Sequence, residues 1–131
     1  MNKQPNILLV DDKQEWLSFS QSSLSREGYS VELSKDVQHA LELCQNKRFS
    51  LVLVDFNCME REEKWFKNLI SHANSRYVVV LSSMDLSPEK LRKAFNLGAF
   101  DCVEKCYDAQ NLLLLVEKQL NDIRQKSKAK E

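Results

Sequence analysis

Four short apolar runs constrain this chain more than any other feature: Ile7–Val10, Leu51–Val54, Tyr77–Leu81 and the weaker Phe100–Val103. They are continuous rather than alternating and rich in branched side chains, which suits parallel strands buried on both faces. Ser30–Leu33, announced by Gly28 and Tyr29, reads as a fifth, half-buried strand. The segments between carry helical spacing. Val37, Ala40, Leu41 and Cys44 form one amphipathic face, and Trp65, Phe66, Leu69 and Ile70 another. Leu91, Ala94 and Phe95 make a third stripe. The longest combines Leu112, Leu113, Val116, Leu120 and Ile123, and a weaker one runs through Trp16, Leu17, Ser20 and Leu24. Asp85 or Ser87 can cap the fourth helix ahead of Pro88, and Asp108 the fifth. The order βαβαβαβαβα predicts an α/β fold, with a parallel sheet covered by helices on both sides.

Composition removes several alternatives. The 131 residues contain only Gly28 and Gly98, so neither a Walker loop nor a dinucleotide fingerprint can be built. Two histidines without zinc-hydrolase spacing argue against that chemistry. Nineteen basic and nineteen acidic residues leave no net field for nucleic acid or an anionic membrane. No apolar run approaches the roughly 20 residues that span a bilayer. The N-terminal segment lacks a signal-peptide pattern, and Cys44, Cys58, Cys102 and Cys106 show no CxxC spacing. Reduced thiols in a cytoplasm are the resulting expectation. The expected organisation is a single domain over 1–125, with 126–131 a basic polar tail or the start of a linker.

In open α/β sheets, ligands bind at the carboxyl ends of the strands, near the point where strand order reverses. Asp11 and Asp12 follow the first run, Asp55 the third, Ser82 and Ser83 the fourth, and Glu104 and Lys105 the fifth. Three carboxylates brought so close repel one another unless a cation is present. A hard divalent ion such as Mg2+ suits them. Lys105 and Ser82 then remain as donors to an anionic oxygen, a set suited to phosphoryl transfer onto Asp55. Singly, each residue also fits a helix cap, a turn or a solvated loop; the information lies in their joint placement.

These segments resemble the receiver domain of two-component response regulators. The resemblance rests on Ile7-Leu-Leu-Val-Asp-Asp12, Leu51-Val-Leu-Val-Asp55, Val78-Val-Val-Leu-Ser-Ser83 and Leu97-Gly-Ala-Phe-Asp-Cys-Val-Glu-Lys105. It runs from about residue 5 to about residue 123. It implies a flavodoxin-like (βα)5 three-layer sandwich with sheet order 2-1-3-4-5, and phosphorylation of Asp55 by a histidine kinase or phosphotransfer protein. It further implies Mg2+ held by Asp11, Asp12, Asp55 and the backbone carbonyl of Asn57, with Ser82 and Lys105 engaging the phosphoryl group. A homodimer through the face of the fourth and fifth helices is compatible with it; the downstream target is not readable. No direct nucleic-acid or membrane binding is expected.

Departures surround the site. After the acceptor the family favours a Met-Pro turn ending in glycine, whereas this chain reads Asn57-Cys58-Met59-Glu60-Arg61-Glu62-Glu63. The interval from Asp55 to Ser82 is slightly short, which implies a trimmed loop or third helix. Cys106 replaces the usual cis proline, so a trans bond after Lys105 is expected. Cys102 stands where an aromatic switch residue is usual. Phe100 shares its parity on the strand and is a candidate substitute. Cys58 and Cys106 follow site strands, and a thiol near Lys105 could acquire a lowered pKa; burial as small apolar groups is the plainer alternative. Asn57 could position a hydrolytic water and Met84 lacks a strong donor, which together imply an intermediate phosphoryl lifetime.

Two other functions compete. A pseudo-receiver would use the fold as an unphosphorylated interaction scaffold. An aspartate-nucleophile phosphatase would want a second aspartate in place of Asn57 and the nucleophile on the first strand. The expected role is therefore a stoichiometric phosphoacceptor rather than a turnover enzyme. The length leaves no room for an attached DNA-binding domain: the receiver works alone, or a longer protein continues past the basic tail.

Overall fold

The computed structural model describes residues 5–72, 77–83 and 85–129. Met84 and the ends of the chain lie outside the described residues. Five parallel strands, β1 (Asn6–Val10), β2 (Ser30–Ser34), β3 (Leu51–Asp55), β4 (Val78–Ser82) and β5 (Asp101–Glu104), form one sheet in the order β2-β1-β3-β4-β5. The helices are α1 (Gln14–Arg26), α2 (Val37–Asn46), α3 (Phe56–Arg61), α4 (Glu63–Ser71), α5 (Pro88–Asn96) and α6 (Ala109–Ala129).

Alternation along the strands divides the core in two. Leu8, Val10, Val52, Val54, Val78, Val80 and Cys102 face one layer, where Val37, Leu41, Cys44, Phe66, Leu69 and Ala94 from α2, α4 and α5 pack. Ile7, Leu9, Leu51, Leu53, Val79 and Leu81 face the other, against Trp16, Leu17 and Leu24 of α1 and Leu112, Val116 and Ile123 of α6. Full burial on both faces is the physical reason these strands read as continuous apolar runs. Ser87 caps α5, accepting from the Lys90 N–H at 3.2 Å with Pro88 at the first helical position. Asp108 accepts from the Asn111 N–H at 2.8 Å, as its capping role requires.

Two expectations need correction. The single third helix is two, α3 and α4, broken at Glu62 where φ −126° and ψ 46° leave the helical region. A segment without Pro or Gly has no inexpensive route through the usual turn, so the chain starts a helix directly at Phe56 and buries Phe56, Cys58 and Met59. The break has its own support: the Glu62 carboxylate accepts from the Val37 N–H at 3.0 Å and the Gln38 N–H at 3.4 Å, serving the N-terminus of α2.

The second correction concerns Phe100. It does not share the face of Cys102; it lies in the opposite core, edge-on to Tyr77 with ring centroids 5.6 Å apart. Alternation applies only once the strand is extended, and β5 begins at Asp101, just beyond the turn at Gly98, whose φ is +106°. Phe100 therefore cannot stand in for a ring at position 102. Segment 126–129 continues α6, and the Ser127 hydroxyl meets the Tyr77 hydroxyl at 2.9 Å.

Candidate functional site

The strand order reverses between β1 and β3, and the polar residues that follow the apolar runs meet there. Asp11 leaves β1 fully buried, anchored by its N–H donating to the Ser34 carbonyl at 3.0 Å. Asp55 closes β3 beside it, only 5% exposed. Lys105 follows β5, and its N–H donates to the Ser82 carbonyl at 2.8 Å, which delivers the side chain to the same rim.

Lys105 is the centre of the arrangement. Its buried ammonium forms an ion pair with Asp11 and donates to Asp55 Oδ1 at 3.0 Å. The ammonium also stands 4.8 Å from the centre of the Trp16 ring, whose Nε1–H donates to the Cys106 carbonyl at 2.9 Å. Burial lowers the Lys105 pKa, but the two carboxylates outweigh it and hold the ammonium above its ordinary value. Burial dominates at Asp11 and pushes its carboxyl up, although Lys105 and the Lys13 N–H, 2.9 Å from Oδ1, oppose it. The peptide bond after Lys105 is trans, as are all others among the described residues.

Asp12 faces solvent. Partial desolvation pushes its carboxyl up, but Lys13 at 3.7 Å and the Arg61 guanidinium at 2.9 Å prevail and leave it below the usual range. Arg61 also reaches the Cys58 sulfur at 3.6 Å. Asp12, Asp55 and Cys58 each offer a donor atom within 4.8 Å of the others. Asp12, open to water, and Asp55, buried beside it, are carboxylates that suit a hard divalent cation, and Arg61 already lodges on Asp12 as the chain's own positive charge. Asn57, the second residue of α3, donates its N–H to Asp55 Oδ2 at 3.1 Å. Its carbonyl belongs to a helical turn and runs along the helix axis.

Ser82 is buried at the end of β4, and Lys90 Nζ lies 3.3 Å from its hydroxyl and 5.5 Å from the Phe56 ring centre. Sequence reasoning missed both Arg61 and Lys90. The one signal for Arg61 is its spacing of three from Cys58, which becomes informative only if the segment is helical. The thiols do not have the lowered pKa considered from sequence. Burial, then the nearby carboxylates, pushes Cys58 up to about 12. Burial likewise raises Cys106, with Asp108 and Glu104 adding to it, and Lys105 does not reverse the shift. Beside Asp55 lies a cleft of about 430 Å³, bordered by Trp16, Phe19, Asn57, Ser83, Lys105 and Tyr107.

A family model described as the response regulator receiver domain matches residues 7–117. The chain belongs to that family, the receiver domains of two-component response regulators. Among curated relatives it is similar to the nitrogen assimilation regulatory protein NtrX of Azorhizobium caulinodans, 26% identical over 128 residues. That alignment covers 96% of this chain and 28% of the relative. The response regulator MprA of a Mycobacterium species (strain KMS) is 33% identical over 109 residues, covering 82% of this chain and 46% of MprA. The chain thus spans between about a quarter and a half of the curated relatives it matches. Among solved structures, the chemotaxis response regulator CheY4 of Vibrio cholerae aligns with TM-score 0.78 at 24% identity, over 88% of this chain and 98% of that one. Receiver domains as a class accept phosphoryl groups rather than turn over metabolites, and response regulators act between histidine kinases and downstream effectors. No helix among the described residues is long and apolar enough to cross a membrane.

Proposed function

We propose that Asp55 is a phosphoacceptor, taking a phosphoryl group from a histidine kinase or phosphotransfer protein in a Mg2+-dependent reaction that alters partner binding. The observation that carries this reading is the Lys105 ammonium spanning two buried carboxylates, Asp11 and Asp55. A cation fixed beside Asp55 in a poorly hydrated site is preorganised for a transferring phosphoryl group. An Asp55 oxygen bonds to phosphorus as the phosphorus–nitrogen bond of a phosphohistidine breaks, and the imidazole leaves with a proton from solvent. Lys105 then transfers its contact from the carboxylate to a phosphoryl oxygen. Ser82 donates to another once its hydroxyl turns from Lys90.

Bound Mg2+ would neutralise the remaining phosphoryl charge, with Asp12 and Asp55 its direct carboxylates and Asp11 behind them. A ligand role for the Asn57 carbonyl requires the first turn of α3 to open. The single receiver domain is proposed to span 1–125, with α6 carrying the basic segment on as helix to Ala129, and to act in the cytoplasm through protein partners rather than nucleic acid. The test is intact-protein mass after incubation with a small phosphodonor. One phosphoryl adduct is expected with Mg2+, and none without it or in Asp55→Asn. No adduct in the unsubstituted protein overturns the reading. It would favour instead the unphosphorylated scaffold, for which Arg61 on Asp12 and the helical segment after Asp55 already speak.

A further inference from the structure

We propose that Arg61 is a built-in competitor of the divalent cation, closing the metal site whenever the ion is absent; this rests on the receiver reading of the site. The starting point is local sequence. Because no Pro or Gly follows Asp55, α3 begins at Phe56 and places Cys58 and Arg61 three apart, on one face of the helix. That face looks toward the strand ends, and the guanidinium meets Asp12 Oδ2 at 2.9 Å and Cys58 Sγ at 3.6 Å. It therefore touches two of the three groups whose donor atoms cluster within 4.8 Å.

Lys105 serves the buried pair, Asp11 and Asp55, while Asp12 has Arg61 at 2.9 Å and, among the described residues, only the more distant, more exposed Lys13 besides. A divalent ion on Asp12 would stand a few ångströms from a guanidinium that already holds that carboxylate, and the two cations repel. The Arg61 side chain is 54% exposed, so the contact can open to water without leaving a buried charge behind. Arg61 thus sets the free Mg2+ concentration at which the site fills, and it stabilises the metal-free protein by shielding Asp12.

Mg2+ titration of the full chain tests this, read by calorimetry and by tryptophan fluorescence, with melting measured in chelator and in excess Mg2+. Arg61→Met is expected to bind Mg2+ about ten-fold more tightly than the unsubstituted protein, as removal of one nearby positive charge predicts. It should also melt lower in chelator and gain more from the metal. Arg61→Lys, which keeps the charge, should fall between. Lys93→Met removes one charge elsewhere, from the pairs with Glu60 and Glu63, and should change Mg2+ affinity less than two-fold. Equal or weaker binding by Arg61→Met, with measurable binding by the unsubstituted protein, overturns the proposal and leaves the receiver reading intact. Mg2+ binding by none of the variants would overturn both.

Discussion

Lys105 shows how much a single buried charge can organise. Its side chain is 3% exposed between Asp11 at 0% and Asp55 at 5%, so removing the ammonium leaves two carboxylates facing each other without their cation. Lys105→Met is expected to lose about 3 kcal/mol of stability to urea, within the range for breaking a buried ion pair. Added Mg2+ should restore part of it. A loss below about 1 kcal/mol would mean that water already screens the trio. The thiols give a pH signature at the same scale. Burial holds Cys58 near 12 and Cys102 near 11 in the native state, whereas an unfolded chain ionises its thiols near 9. A raised folded value contributes stability that is complete below the unfolded pKa and is lost as pH rises toward the folded one. Stability should therefore fall by about 1 kcal/mol per thiol between about pH 8 and about pH 10, and Cys102→Val should remove its share. Urea midpoints that stay level across that range would contradict the assignment.

Among the elements, the strands were legible because burial on both faces leaves an unbroken apolar signature, and the caps at Ser87 and Asp108 because their chemistry is local. The α3–α4 break was not legible. Glu60, Arg61, Glu62 and Glu63 look like a polar loop, yet the segment turns helical because Asp55 caps its start and Phe56, Cys58 and Met59 find core to fill. Glu62 then serves a helix distant in sequence, a role no local pattern announces. Glu62→Ala should cost about 1 kcal/mol, typical of a lost helix cap, with hydrogen exchange rising at the first turn of α2. Unchanged exchange there would show that Asp36 caps α2 unaided. At the turn before β5, a Cβ on Gly98 would come 2.7 Å from Ile70 Cγ2 with the backbone at φ +106°. Gly98→Ala should therefore lower stability by about 2 kcal/mol, and no loss would mean that both the turn and Ile70 relax freely.

For the whole molecule, topology explains why the acidic pair, Asp55, Ser82 and Lys105 could be read from sequence: a parallel sheet delivers every strand's C-terminal residue to one rim. It does not say which cations reach that rim from the helices, so Arg61 and Lys90 emerge only in three dimensions. Nor does strand parity extend past the strand, which is how Phe100 came to lie in the opposite core from Cys102. On the α5 side of Ser82 stand Lys90 and, at position 102, a small buried thiol. Whether Asp55 carries the phosphoryl group is decided by borohydride reduction of the phosphodonor-treated protein. An aspartyl phosphate is reduced to homoserine, which peptide mass mapping locates. Homoserine at position 55, formed only when Mg2+ was present, is the expected result. Homoserine at Asp11 or Asp12 instead, or at no position, would contradict it.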